Sequence, residues 1–337
     1  MVNRALAIPT PLIFLGAIVT ACLLLWRQGA LSDIGPALRG ASLWQMATAM
    51  VLYSIGLLLL CLRWHVLVQM IDGNKNLLRS SEAFVTSVAL NYAAPLSLAL
   101  PSRALLTMRA LGLSKTQTAG LTFWEVAADL LVLSGLTAIW LATGGWRAGQ
   151  SHVDRTWVVS GAMLALLAAV AVGLAFSKVR RMQKLAKELL IRVAPGLAYP
   201  RTNPGLAAGA FMLSLLFWVT QGGVLWILLR AIDRQNPELL LVLGLISMPI
   251  LVGMLSPIPG GAGIREALMI AVAGVHGASE ASALLAGITY RVALFAALPI
   301  LYLAIRAAIF VKADDRGTMA SAPADGAHGN SGGERDN

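Results

Sequence analysis

Apolar residues in this chain come in long unbroken blocks rather than in the alternating or one-sided patterns of soluble proteins. Six blocks are long enough for a helix of about 20 residues to cross a bilayer: 9–26, 44–62, 119–141, 157–176, 206–229 and 282–305. Two further apolar stretches are interrupted. The first, 83–100, carries Asn91 and Pro95 and follows Glu82; a short amphipathic piece, 103–113, comes after it. The second, 239–255, stops at Pro257, and a glycine-opened helix over 262–275 follows. The pattern predicts an all-α polytopic membrane protein with six full transmembrane helices and two broken, re-entrant hairpins.

Composition agrees. Hydrophobic residues make up 58% of 337 and charged residues only 12%, about half the charge of a soluble domain. The net charge of +10 points to cytoplasmic loops, which collect Lys and Arg, and not to nucleic acid. Between 177 and 204 the chain holds Lys178, Arg180, Arg181, Lys184, Lys187, Arg192 and Arg201 against the single acid Glu188. That loop is expected to be cytoplasmic. The loops with Arg63, Lys75, Arg79, Arg103, Arg109 and Lys115 share its side if 83–113 enters and leaves by the same face. By the same count 239–275 is a hairpin entered from outside, and both termini lie inside, in a cell (inner) membrane. Cys22 and Cys61 fall within apolar runs and form no metal or disulfide framework. Val19-Thr20-Ala21-Cys22 resembles a lipoprotein cleavage box, but the apolar run continues past it and reads as an ordinary first span. The expected organisation is a membrane domain over 1–311, with half-repeats of roughly 5–142 and 157–308. A polar, disordered cytoplasmic tail over 312–337 follows.

The two broken stretches align at an offset of 162 residues. Pro95 meets Pro257, Arg103 meets Arg265, Leu106 meets Leu268, Gly112 meets Gly274, Ala119 meets Ala281 and Leu136 meets Leu298. Six identities are few in so apolar a composition. The order of features says more: apolar run, proline break, arginine, short helix, glycine, then a span with a buried charge at Asp129 or Arg291. Broken helices at corresponding positions of two halves mark the binding site of transporters built from inverted repeats.

The chemistry concentrates at these breaks. Pro257 and Pro259 forbid helical hydrogen bonds, while Gly260, Gly261 and Gly263 permit close backbone approach. A helix starting near Ala262 would offer free N–H groups to an anion, and Arg265 adds a cation suited to phosphate. The alternative is a tight turn in which Arg265 pairs with Glu266 or a neighbour. Glu125 and Asp129 share one face of a transmembrane helix, where acids are costly without partners; Arg103, Arg265 and Arg291 are the candidates. Either a structural ion-pair network or a gate or proton-coupling role would explain them. Arg291 is a candidate second phosphate contact. Asn91 reads mainly as a partner for broken backbone. The four histidines are scattered without metal or triad spacing, and no cofactor is expected.

At these residues the chain resembles the flippase-like family named for the transmembrane region of lysylphosphatidylglycerol synthase. Pro257 to Glu266, Gly274 and Tyr290-Arg291 are similar to its second signature. Asn91, Pro95, Arg103 and the Glu125/Asp129 pair are similar to its first. The likeness spans about 5–311. The chain departs from the family pattern at 96–102, where glycines and an acid are usual, and at Val126, where arginine is frequent. The resemblance implies an inner-membrane protein that translocates or handles lipids, without the aminoacyl-transfer domain some relatives carry, since the polar tail is too short for one. The implied substrate is an aminoacylated phospholipid, a glycolipid or a polyprenyl-phosphate-linked sugar. The expectation is therefore lipid flipping rather than catalysis, with Arg265, Arg103 and Arg291 as phosphate contacts. The glycines of the second motif and Glu266 shape that site, and Glu125, Asp129, Asn91, Pro95, Pro257 and Pro259 belong to the gate. The alternatives are a membrane-embedded transferase or its subunit, with Glu125 or Asp129 as a base, and a scaffold for a lipid-modifying enzyme.

Overall fold

The computed structural model describes Leu12, Leu15, Val19 and residues 42–73, 76–93, 96–143, 198–233, 236–255 and 263–320; the side chains of 91–103 and 312–320 fall outside that description. The expected spans 9–26 (beyond those three residues) and 157–176, most of the basic 177–204 loop, and Pro95, Pro257, Pro259, Gly260 and Gly261 lie outside the described residues. What is described is helical: α1 (Leu43–Asp72), α2 (Leu77–Ala93), α3 (Leu96–Leu111), α4 (Lys115–Ala142), a single turn α5 (Tyr199–Thr202), α6 (Pro204–Asp233), α7 (Leu239–Leu255), α8 (Ile264–Val275) and α9 (Glu280–Ala320). Among the described residues, α1, α4, α6 and the Glu280–Val311 part of α9 are long and apolar enough to cross a membrane. They match four of the six expected spans. Val51, Ile55, Leu58 and Leu62 stay exposed along one stripe of α1, which is the face a bilayer covers.

The helix ends are written locally. Ser42 and Gln45 cap α1 reciprocally, at 2.9 and 3.2 Å. Ser114 and Gln117 do the same for α4. Gly112, at φ +71°, turns the chain out of α3, and Gly277, at φ +61°, turns it after α8. Both sit in the left-handed region that favours glycine. The turn glycine equivalent to Gly112 is thus Gly277; Gly274, its partner in the sequence alignment, lies within α8.

Side-chain contacts fix the faces. The Gln117 amide donates to Asp72 at 3.0 Å, joining the start of α4 to the end of α1. The Asn203 amide reaches the carbonyl of Met70, placing the start of α6 at the same face. The chain between Asp72 and Gln117 therefore enters and leaves by one side, so α2 and α3 form a re-entrant hairpin. At the other face Trp140, near the end of α4, donates to His276 at 3.1 Å. His276 lies 3.5 Å from Glu238, just before α7. The α7–α8 hairpin thus begins and ends on this far side. α9 returns to the near side, where Arg306 and Tyr302 meet Glu82 of α2.

α1 and α6 form the central pair. Glycines bring them together: a Cβ on Gly223 would stand 2.9 Å from Leu52, one on Gly56 2.0 Å from the Gln221 amide, and one on Gly209 4.0 Å from Val66. Numbers rise on one helix as they fall on the other, so the two are antiparallel, and small residues let them approach. The remaining packing occurs twice. α2 packs on α3 and on α9, just as α7 packs on α8 and on α4. Adding 162 to α2 (77–93) gives 239–255, the bounds of α7. This is the packing of an inverted repeat, in which each hairpin leans on the last span of the other half.

Two expectations change. The second span does not stop at Leu62: α1 continues to Asp72, carrying Arg63, Trp64 and His65 inside the protein. Trp64 is a buried core residue against Phe84, with ring centroids 5.5 Å apart, whereas Trp44, at the other end of α1, is 81% exposed. The segment read as a tail from 312 continues α9 as far as Ala320, because extending an established helix adds a hydrogen bond per residue without a new nucleus.

The far-face contact yields two tests. A Cβ on Gly244 would stand 2.7 Å from the Trp140 indole nitrogen and 2.9 Å from Val272. Gly244→Ala should cost about 1–3 kcal/mol by overpacking, seen as a lower melting temperature in detergent. His276 must be neutral at Nε2 to accept from Trp140, and burial holds its pKa below the ordinary 6.5, against the opposing pull of Glu238. Below pH 6.5 the unfolded ring therefore takes up a proton that the folded ring resists, so the stability this group contributes is complete above 6.5 and is lost as pH falls. The melting temperature of the wild type should drop more than that of His276→Gln between pH 7.5 and 5.

Candidate functional site

Among the described residues the most buried arginine is Arg63, with a side chain 1% exposed. It lies nine residues before Asp72, about 14 Å from the near end of α1 at 1.5 Å per residue. Its Nη1 donates to Asp129 and, at 2.8 Å, to Ser214; its Nη2 lies 3.3 Å from Glu125. Asp129 also accepts from the Trp218 indole at 3.0 Å. One guanidinium thereby ties α1, α4 and α6 together. Glu125 and Asp129 were expected to meet Arg103, Arg265 or Arg291. Among the described residues their cation is Arg63, which the sequence pattern had assigned to a cytoplasmic loop. The arginine looked like the end of a span; the apolar run Val66-Leu67-Val68 and the stop at Gly73 were the signals that α1 continues.

The second motif is also rearranged. α8 begins at Ile264 behind Gly263, which sits at φ +83°. The Gly263 N–H donates to Glu266 at 2.6 Å, and Arg291 reaches the other oxygen of the same carboxylate at 2.7 Å. The helix N-terminus does attract an anion, but that anion is Glu266, which stands at the third helical position and needs no search to reach it. Glu266 and Arg291, read from the sequence as substrate contacts, therefore clamp α8 to α9.

Arg265 is left with a different environment. It is buried, at 8% exposure, and its guanidinium lies 5.5 Å from the centre of the Tyr290 ring. Tyr290 in turn meets Tyr53 of α1 edge-on, with centroids 5.1 Å apart. Among the described residues no carboxylate pairs with Arg265. A cation–π contact supports a cation without neutralising it. Arg103 lies within α3 and Asn91 within α2, their side chains outside the description. No group of three metal-ligating side chains occurs among the described residues.

An all-helical chain with several apolar spans, two hairpins entering from opposite faces and arginines at membrane depth is a multi-pass membrane protein. It belongs to the family of the lysylphosphatidylglycerol synthase transmembrane region, whose model matches residues 13–301. That membership links it to lipid metabolism. Neither the curated proteins nor the solved structures gave a significant match.

Removing Arg63 alone takes the shared cation away from two buried carboxylates. Arg63→Ala should cost about 3–5 kcal/mol and sharply reduce the yield of folded protein on gel filtration. The triple variant Arg63→Met, Glu125→Gln, Asp129→Asn should recover most of it.

Proposed function

We propose that the protein translocates an anionic lipid across the membrane, as a transporter and not as an enzyme. The supporting observation is Arg265: a buried guanidinium, about 15 Å from the far end of its hairpin, held on Tyr290 and unmatched by any carboxylate among the described residues. A lipid phosphate is the anion that reaches such a depth in numbers, and guanidinium suits it in charge and geometry. The acyl chains would stay in the bilayer while the headgroup passes between the two halves. Each hairpin then acts as a gate: the near one leans on α9 through Glu82 and Arg306, the far one on α4 through His276 and Trp140. Glu125 and Asp129, engaged by Arg63 and Trp218, serve the frame and not as bases. The near face carries Arg79, Arg109, Lys115 and Arg201 and is the cytoplasmic one, with the protein in a cell (inner) membrane.

The reading is tested in proteoliposomes with a tail-labelled fluorescent anionic phospholipid, following the fraction of label exposed to an external quencher. Wild-type protein should move the lipid. Arg265→Ala should slow it about thirtyfold or more, as expected for loss of one buried charged contact, and Arg265→Lys should keep part of the rate. Equal rates for wild type and Arg265→Ala would refute the proposal.

A further inference from the structure

A second unmatched polar group lies at the same membrane level as Arg265. Gln221 of α6 is completely buried, and both its amide nitrogen and its amide oxygen lack a hydrogen-bond partner among the described residues. Counted at 1.5 Å per residue from the far ends of their helices, Gln221 stands about 18 Å deep, Gly56 about 20 Å, and Tyr53, Tyr290 and Arg265 about 15 Å. The contacts are continuous across this layer. The Gln221 amide lies over Gly56, so close that a Cβ there would be 2.0 Å from the nitrogen. Tyr53 is one turn away on the same helix and touches Tyr290, which carries Arg265.

An orphan amide in a membrane interior has no water to satisfy it. An apolar side chain of the same shape would pack against Gly56 without that penalty. The amide therefore has its partner in another state, one in which the α1–α6 interface has parted at this level. Its chemistry restricts what that partner is. A phosphate only accepts and an ammonium only donates, whereas the free N–H and the free C=O of one amide are both satisfied by hydroxyl groups.

We infer that Gln221 is a specificity residue for the headgroup: Arg265 holds the phosphate, and Gln221 hydrogen-bonds the hydroxyls of a polyol or sugar carried on it. The inference rests on the transport reading above and narrows its substrate to a hydroxylated phosphodiester lipid. Two tail-labelled lipids in proteoliposomes separate the two claims: phosphatidylglycerol, with headgroup hydroxyls, and phosphatidic acid, with phosphate alone. Wild type should prefer phosphatidylglycerol. Gln221→Met, unbranched and of similar length, should lose about tenfold on phosphatidylglycerol and stay within about twofold on phosphatidic acid, whose transport also verifies the fold. Gln221→Asn, which keeps the amide but withdraws it, should fall between. An equal effect of Gln221→Met on both lipids, or an effect on neither, overturns the inference. If selectivity depends on Gln221 while Arg265→Ala transports normally, the hydroxyl role of Gln221 stands and the transport reading built on Arg265 fails. If the wild type moves neither lipid, both fall.

Discussion

A guanidinium set about 14 Å into an apolar slab must be answered by charge, and Arg63 is answered from two other helices. Glu125 and Asp129 come from α4 and the Ser214 hydroxyl from α6, while Trp218 holds Asp129 from the far side. Unpaired, each of these charges would cost several kcal/mol to bury. Together they fix how far α1 can slide or turn against its neighbours. Apolar packing alone does not do this in a bilayer, where lipid is as good a partner for Leu as another helix is. The charge cluster therefore sets the register of the central antiparallel pair, and the hairpins hang from that pair.

With the frame fixed in this way, the remaining polar groups at depth separate into used and unused. Arg291 and Glu266 neutralise each other while joining α8 to α9. Arg265 and Gln221, at about one level and linked through the Tyr53–Tyr290 contact, have no such answer among the described residues. The charges that serve the frame are paired at rest. Arg265 and the Gln221 amide, which have no partner of that kind among the described residues, are where an incoming headgroup has something to offer.

Much of the architecture was legible because bilayer thickness and basic loops act on composition, which survives without knowing any contact. The two hairpins followed from charge counting, and the Asp72–Gln117 and Trp140–His276 contacts place them on opposite faces as that counting required. The start of α8 behind Gly263 was legible too, since a glycine frees the backbone locally. The pairing of charges was not. Arg63 was taken for a loop residue because arginine normally ends a span, and nothing in the sequence says that two acids some sixty residues later will fold against it. Glu266 was taken for a ligand contact because sequence shows a helix N-terminus and an anion-binding tendency, but not that the helix supplies its own anion.

Each hairpin rests on the last span of the opposite half, which matters for how the protein is made. Glu82 is separated from Arg306 by 224 residues. At about 5–20 residues per second, synthesis leaves Glu82 without that cation for roughly 10–45 seconds after it leaves the ribosome. During that interval the α2–α3 hairpin has α1 and α4 beside it but not α9, so one flank meets lipid or another membrane protein instead. The near hairpin is thus the first re-entrant element to be inserted and among the last to be walled in, whereas its counterpart, α7–α8, finds α4 already waiting.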